Sequence, residues 1–280
     1  MLNIKYKGIF RTENQLGKKQ INTEVTCMDT TNSTPKVLLF GLNVIIPAVI
    51  SMFSLVHYYL RTSLLFDYYP LEQTIINWLI LMALLLLSIP IHELIHAICF
   101  PIRDYKEVYF MPSQLLFFVY CNANVSKIRF IIINLLPNLL LGFIPFFIGQ
   151  IIYNAAHTGI GMLFQLFGVC NIVAGLGDYY NTYLAINNVP KDAILFNSGI
   201  KTYYYVKTNK AHINKNKKDL IFLTIAFFSL GMGLININKM LGINILLINI
   251  IIASFIDDKF EKIFRWIITI LLVLLLFEYI

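Results

Sequence analysis

The sequence predicts an all-α polytopic membrane protein, with six to seven transmembrane helices and a short membrane-associated β-hairpin between the second and third. Three observations predict it. Hydrophobic residues make up 58% of the 280 residues and charged residues only 13%, about half the charge of an ordinary soluble domain; mean hydropathy is +0.71. Several apolar stretches reach the roughly 17–25 residues that a helix needs to cross a bilayer. Lys and Arg are one-sided: with the N-terminus inside and the spans alternating, all 22 fall on the cytoplasmic side except Arg61 and Lys239, a strong positive-inside pattern. The net charge of +7 is thereby accounted for by orientation, and no nucleic-acid partner is expected.

Taken in order, residues 1–36 form a polar, basic cytoplasmic segment without the pattern of a cleavable signal peptide. Met1–Phe10 reads as a short strand or an amphipathic anchor, and the Thr- and Asn-rich stretch 22–34 as linker. Residues 37–206 form the membrane core. Span one is Val37–Leu60. Span two is Thr74–Phe100, with Pro90 poised to open or kink it. Residues 101–127 break the apolar pattern with Arg103, Asp104, Lys106 and Glu107. The β-branched and aromatic runs Val108–Phe110 and Leu115–Tyr120 then predict the hairpin. Span three is Ile128–Tyr153 and span four Gly159–Ile186. A basic loop with seven lysines, residues 187–219, leads into the C-terminal part, 207–280. That part holds span five (Leu220–Ile237), span six (Leu241–Phe255) and a short last run, Phe264–Phe277, which crosses only with bilayer thinning. Cys27, Cys99, Cys121 and Cys170 are scattered and read as reduced structural residues, not a metal set.

The chemistry is concentrated in His92-Glu93-Leu94-Ile95-His96, within span two. On a helix, two histidines four residues apart share one face and can bind one zinc ion, with the intervening Glu within reach of a water on an open position. Zinc would lower that water's pKa to about 7, and Glu93 would take its proton. A pair of helical histidines beside an unrelated Glu is the plainer alternative, but ionisable groups inside a membrane are costly and usually functional.

A catalytic zinc needs a third protein ligand. His92 lies 18 residues into span two and Asp178 lies 19 residues into span four, and both spans run inward. At about 1.5 Å per residue the two reach the same depth, near the cytoplasmic end. Asp178 is therefore the candidate third ligand, with an ordinary helix-end carboxylate as the alternative. His57, His157 and His212 fall at the outer end of span one, on an outer turn and in the basic loop. Asn134 and Asn138, in Asn134-Leu135-Leu136-Pro137-Asn138, lie at a similar depth. They are candidates for substrate binding or for orienting a ligand; satisfying carbonyls freed by Pro137 is an equal alternative. Asn171, two turns before Asp178 on one face, is read the same way.

His-Glu-x-x-His in one span, Asn-x-x-Pro in a later one and then an intramembrane Asp resemble the site-2 protease group of intramembrane zinc metalloproteases. More closely, His92–Ala97, Leu136-Pro137-Asn138 to Pro145, Asn171 with Gly177-Asp178, Val189-Pro190 and Gly199–Tyr205 resemble a bacterial membrane family labelled putative zincin peptidases. The resemblance covers roughly 85–206. It implies a zinc-dependent metalloendopeptidase in which His92, His96 and Asp178 hold Zn2+ and Glu93 is the general base. One departure stands: the Asp-Gly that follows Asn-x-x-Pro closely in site-2 proteases is replaced here by Leu140-Leu141-Gly142.

The expected function is hydrolysis of membrane protein or peptide substrates at the bilayer, in a bacterial cytoplasmic membrane, with the site toward the cytoplasm. Two alternatives use the same residues: a non-catalytic membrane scaffold with a structural or sensory metal, and an ion transporter running through the buried His/Glu/Asp cluster.

Overall fold

The computed structural model describes residues 3–19, 25–29, 71–112, 116–156, 159–206 and 239–253, together with 263, 266–270 and 272. Helix α1 (Leu71–Cys99) carries the His-Glu-x-x-His sequence and continues through Pro90. Its stretch Ile75–Cys99 is long and apolar enough to cross a membrane. Trp78, Leu79, Leu86 and Leu87 on it are exposed, as expected of side chains that lipid rather than protein surrounds. Helix α2 (Lys127–Asn138) passes through one π-helical turn, Leu139–Phe143, into α3 (Ile144–Ala156), and Lys127–Tyr153 is a second membrane-length stretch.

Span four is not one straight helix. It is α4 (Gly159–Ala174) and α5 (Leu176–Asn188), bent by 54° at the break between them. The last described helix, α6 (Lys239–Ala253), buries Ile243, Leu246, Leu247 and Ile250 on one stripe. Its 15 residues extend only about 22 Å, short of a hydrocarbon core of about 30 Å. Six to seven crossings are thus not supported: the described residues hold two helices of membrane length, or three if the bent pair is one broken span. The expected spans Val37–Leu60 and Leu220–Ile237 lie outside the described residues, as does most of Phe264–Phe277.

The all-α expectation is corrected by two small sheets. The predicted hairpin is present as β3 (Lys106–Met111) and β4 (Leu116–Tyr120), antiparallel from Glu107↔Tyr120 to Met111↔Leu116. It belongs to a three-stranded sheet, because β1 (Ile4–Ile9) pairs in parallel with β3. Strand β4 forms one edge of that sheet. The second sheet, ordered β2-β7-β6-β5, joins β2 (Thr26–Cys27), β5 (Val125–Ser126), β6 (Ala193–Ser198) and β7 (Lys201–Val206). Apart from β5, it occupies sequence read as linker and as basic loop. Most of that loop's lysines follow residue 206, whereas Ala193–Phe196 and Tyr203–Val206 are the apolar and aromatic runs that favour strands. Gly199 opens the two-residue β6–β7 turn at φ 60, a conformation open to glycine at little cost.

Three cations, Lys106 on β3 and Lys127 and Arg129 on α2, tie down the ends of α1 and α5. A helix C-terminus leaves carbonyls without intrahelical donors. Just past the end of α1, the fully buried Lys106 donates to the Pro101 and Ile102 carbonyls at 2.7 and 3.2 Å. Arg129 Nε donates to the Cys99 carbonyl at 2.9 Å. At the end of α5, the Lys127 ammonium donates to the carbonyls of Val189 (2.6 Å) and Ile186 (3.2 Å). Both helices that build the candidate site thus have their C-terminal ends fixed, α1 just past His96 and α5 at the end opposite Asp178.

Candidate metal centre

His92 and His96 stand one turn apart on α1, with ring centroids 4.8 Å apart and planes at 74°. Asp178 lies in the first turn of α5, where unpaired backbone N–H groups favour a carboxylate. The break at Gly175 creates that helix start. It brings the Asp178 carboxylate between the two rings, with Oδ2 3.0 Å from His92 Nε2 and Oδ1 3.4 Å from His96 Nε2. Among the described residues this is the one cluster of three such groups, its donor atoms all within 4.8 Å of one another.

A tetrahedral zinc with nitrogen and oxygen ligands at about 2.0–2.2 Å separates neighbouring donors by about 3.4 Å. The two Asp178 oxygens stand near that spacing, at 3.0 and 3.4 Å from the two ring nitrogens, with the whole set inside 4.8 Å, and two imidazoles with one carboxylate are a donor set that suits zinc. Three protein donors leave a fourth position open, as a catalytic rather than a structural site requires.

The orientation of His96 follows from Pro137. A proline has no N–H to give the carbonyl four residues back, so the Ile133 carbonyl lacks its helical donor. His96 Nδ1 lies 2.7 Å from that oxygen. A carbonyl can only accept, so Nδ1 carries the proton and Nε2 is left free toward the cluster. Asn138 works on the carboxylate: its Nδ2 donates to Asp178 Oδ2 at 2.8 Å and to the Asn134 carbonyl at 3.3 Å. Gly175 makes this contact possible, since a Cβ there would fall onto the Asn138 amide.

The remaining asparagines divide. Asn134 donates to the Phe130 carbonyl at 2.7 Å and lines the cavity described next. Asn171 donates to the Phe167 carbonyl on its own helix at 2.9 Å and is not among the lining residues. His57, His157 and His212 lie outside the described residues.

A cavity of about 350 Å³ adjoins the cluster and is lined by Glu93, His96, Asp178 and Asn134. Val119 on β4 lines the same cavity. Sequence reasoning missed several groups of the wall: Phe10, Leu16, Asn181, Asn197 and Thr202. Asn181 carries a usable signal, three residues after Asp178 and so on the same helical face. The others carry none, because distant strand pairing brings them here.

Residues 85–194 match a protein family described as "Putative zincin peptidase". The matched stretch contains His92, Glu93, His96, Asn134, Asn138 and Asp178. No curated protein and no solved structure matches the chain.

Proposed function

We propose that the chain is a membrane-embedded zinc metalloendopeptidase acting on membrane protein or peptide segments, with a site of the His-Glu-x-x-His type. One observation carries the reading: His92 Nε2, His96 Nε2 and the Asp178 carboxylate converge beside a cavity that Glu93 also lines. His92, His96 and Asp178 would hold the ion. When bound, zinc supplies a Lewis acid that activates water and polarises the peptide carbonyl. Glu93 takes the proton of the attacking water and delivers it to the leaving amine as the C–N bond breaks. Asn138 holds Asp178, and the Ile133 carbonyl holds the His96 ring. Asn134 has its amide nitrogen engaged, so its oxygen is left to accept from a substrate N–H. Following the positive-inside pattern, the site lies toward the cytoplasmic side of a bacterial membrane.

Strand β4 gives the substrate a place to bind. A scissile peptide must be unwound, and its freed backbone groups need partners inside a bilayer. Adding an extended segment to a sheet edge supplies them. The Phe110 carbonyl accepts from Phe10 N–H on the β1 side, so its register partner Phe117, and Val119 two residues on, turn their N–H and carbonyl groups to the open edge. Phe117→Pro removes an edge donor and spares the β3–β4 ladder. It should lower cleavage at least about tenfold while zinc stays bound; unchanged cleavage would remove strand addition from the mechanism.

The overall test is metal dependence. Purified in detergent with zinc supplied, the chain should carry about one zinc and cleave unfolded apolar peptides. A chelator should abolish both, and zinc should restore both. A chain that binds zinc but hydrolyses no peptide would favour the scaffold reading. A chain that binds none would overturn the protease.

A further inference from the structure

The N-terminal segment lies outside the family match, yet it reaches the cavity. After β1 it forms a short turn organised by Gln15, whose side-chain oxygen accepts from the backbone N–H groups of Arg11 (2.6 Å) and Thr12 (3.0 Å). Its amide nitrogen donates back to the Ile9 carbonyl at 3.2 Å. Residues 11–19 then run from one sheet to the other. On the first sheet, the Tyr109 hydroxyl is shared between Glu107 Oε2 (2.9 Å) and the Gln15 carbonyl (3.1 Å), and the Tyr120 hydroxyl donates to the Gly17 carbonyl. Burial and the Glu107 carboxylate push Tyr109 up to about 12, so it remains a donor across the physiological range. On the second sheet, the Gly199 N–H also reaches the Gly17 carbonyl (3.4 Å), and the Lys19 N–H donates to Ser198 Oγ (3.0 Å).

Leu16 sits between the two clamped carbonyls. It is 4% exposed and packs on Tyr109 and Tyr120, with Phe10 and Phe118 against them. Phe10 meets Phe118 edge-on at 5.1 Å, so the aromatic backing is fixed as well. Leu16 and Phe10 also line the cavity that holds Glu93, His96 and Asp178, together with Phe100, Met111, Phe118 and Ile133. About 350 Å³ is at the low end of ligand pockets, roughly 300–1,000 Å³. It suits a side chain with its flanking peptide, not a folded element.

We infer that this N-terminal strap is part of the substrate site and that Leu16, backed by Phe10, sets the size of the apolar side chain accepted beside the scissile bond. The inference rests on the protease reading for the bond that is cut. The pocket itself can be tested without turnover.

Two measurements separate these claims. Cleavage sites in a random peptide library are read by mass spectrometry for the zinc-loaded full chain and for Leu16→Ala and Leu16→Trp. Wild type should prefer Leu, Ile, Met or Phe at one position next to the cut. Leu16→Ala should shift the preference toward Trp and Phe, and Leu16→Trp toward Ala and Gly, by about tenfold or more in the ratio of large to small residues. Binding of labelled peptides that differ at that one residue is then measured with the same chains, zinc-free, and should show the same shift. Matching profiles in all three chains, or no apolar preference in wild type, would overturn the inference and leave the protease standing. A Leu16-dependent binding preference with no cleavage by zinc-loaded wild type would do the reverse. If the Leu16 variants fail to fold, Phe10→Ala carries the test: it should widen the accepted size, and an unchanged profile overturns the inference.

Discussion

Glu93→Gln is expected to leave about one zinc on each chain and to reduce peptide hydrolysis by about 100- to 10,000-fold, the range that a positioned general base contributes. The substitution keeps the size of the side chain and its ability to accept a hydrogen bond, but removes the capacity to take a proton. Glu93 lines the cavity and is not one of the three clustered donors, so the loss should fall on kcat and leave metal content untouched. That split identifies the role. A variant that loses zinc would make Glu93 a ligand. One that cleaves at the wild-type rate would mean that another group takes the proton. A wild-type chain that moves ions, with flux blocked in this variant, would put the transporter reading ahead.

How far this was readable in the sequence depends on the range of the interactions. His92, Glu93 and His96 fall within five residues, and helical periodicity alone puts the two rings on one face. The closeness of Asp178 to His92 was readable from equal depth in two spans read as running the same way, but through a straight helix that does not exist. Gly175 breaks the span, and the resulting helix start, not the straight-helix depth, brings the carboxylate to the rings. The service done by Pro137 was half visible. Its proline frees a carbonyl, as the sequence implies, yet the group that uses the carbonyl is His96, from another helix. The sheets were least legible. The hairpin β3–β4 has a local pattern, but β1 pairs with β3 about one hundred residues away, and no local pattern encodes a partner at that distance. Leu16 reaches the cavity only through those pairings. In 1–36 it is one apolar residue in polar sequence, with nothing local to single it out.

Asp178→Ala should weaken zinc binding by more than about 100-fold, beyond the range for residues that merely support a ligand. Asp178 supplies the only anionic donor among the three clustered groups. Two histidines alone form an incomplete site, and a divalent ion in a largely apolar setting needs opposite charge nearby. The contrast is Asn138→Ala, which removes the 2.8 Å hydrogen bond to Asp178 Oδ2 but leaves all three donors in place. Its zinc affinity should fall by about 10- to 100-fold, between wild type and Asp178→Ala. Competition titration against a calibrated chelator, on chains that elute as single species in detergent, gives all three affinities on one scale. Equal affinities in wild type and Asp178→Ala would keep the histidine pair, remove Asp178 from the ligand set and reopen the search for a third donor. If Asn138→Ala falls as far as Asp178→Ala, the asparagine is required for the carboxylate to reach the rings. The tight approach of Asn138 to Gly175 would then fix the bend that builds the site.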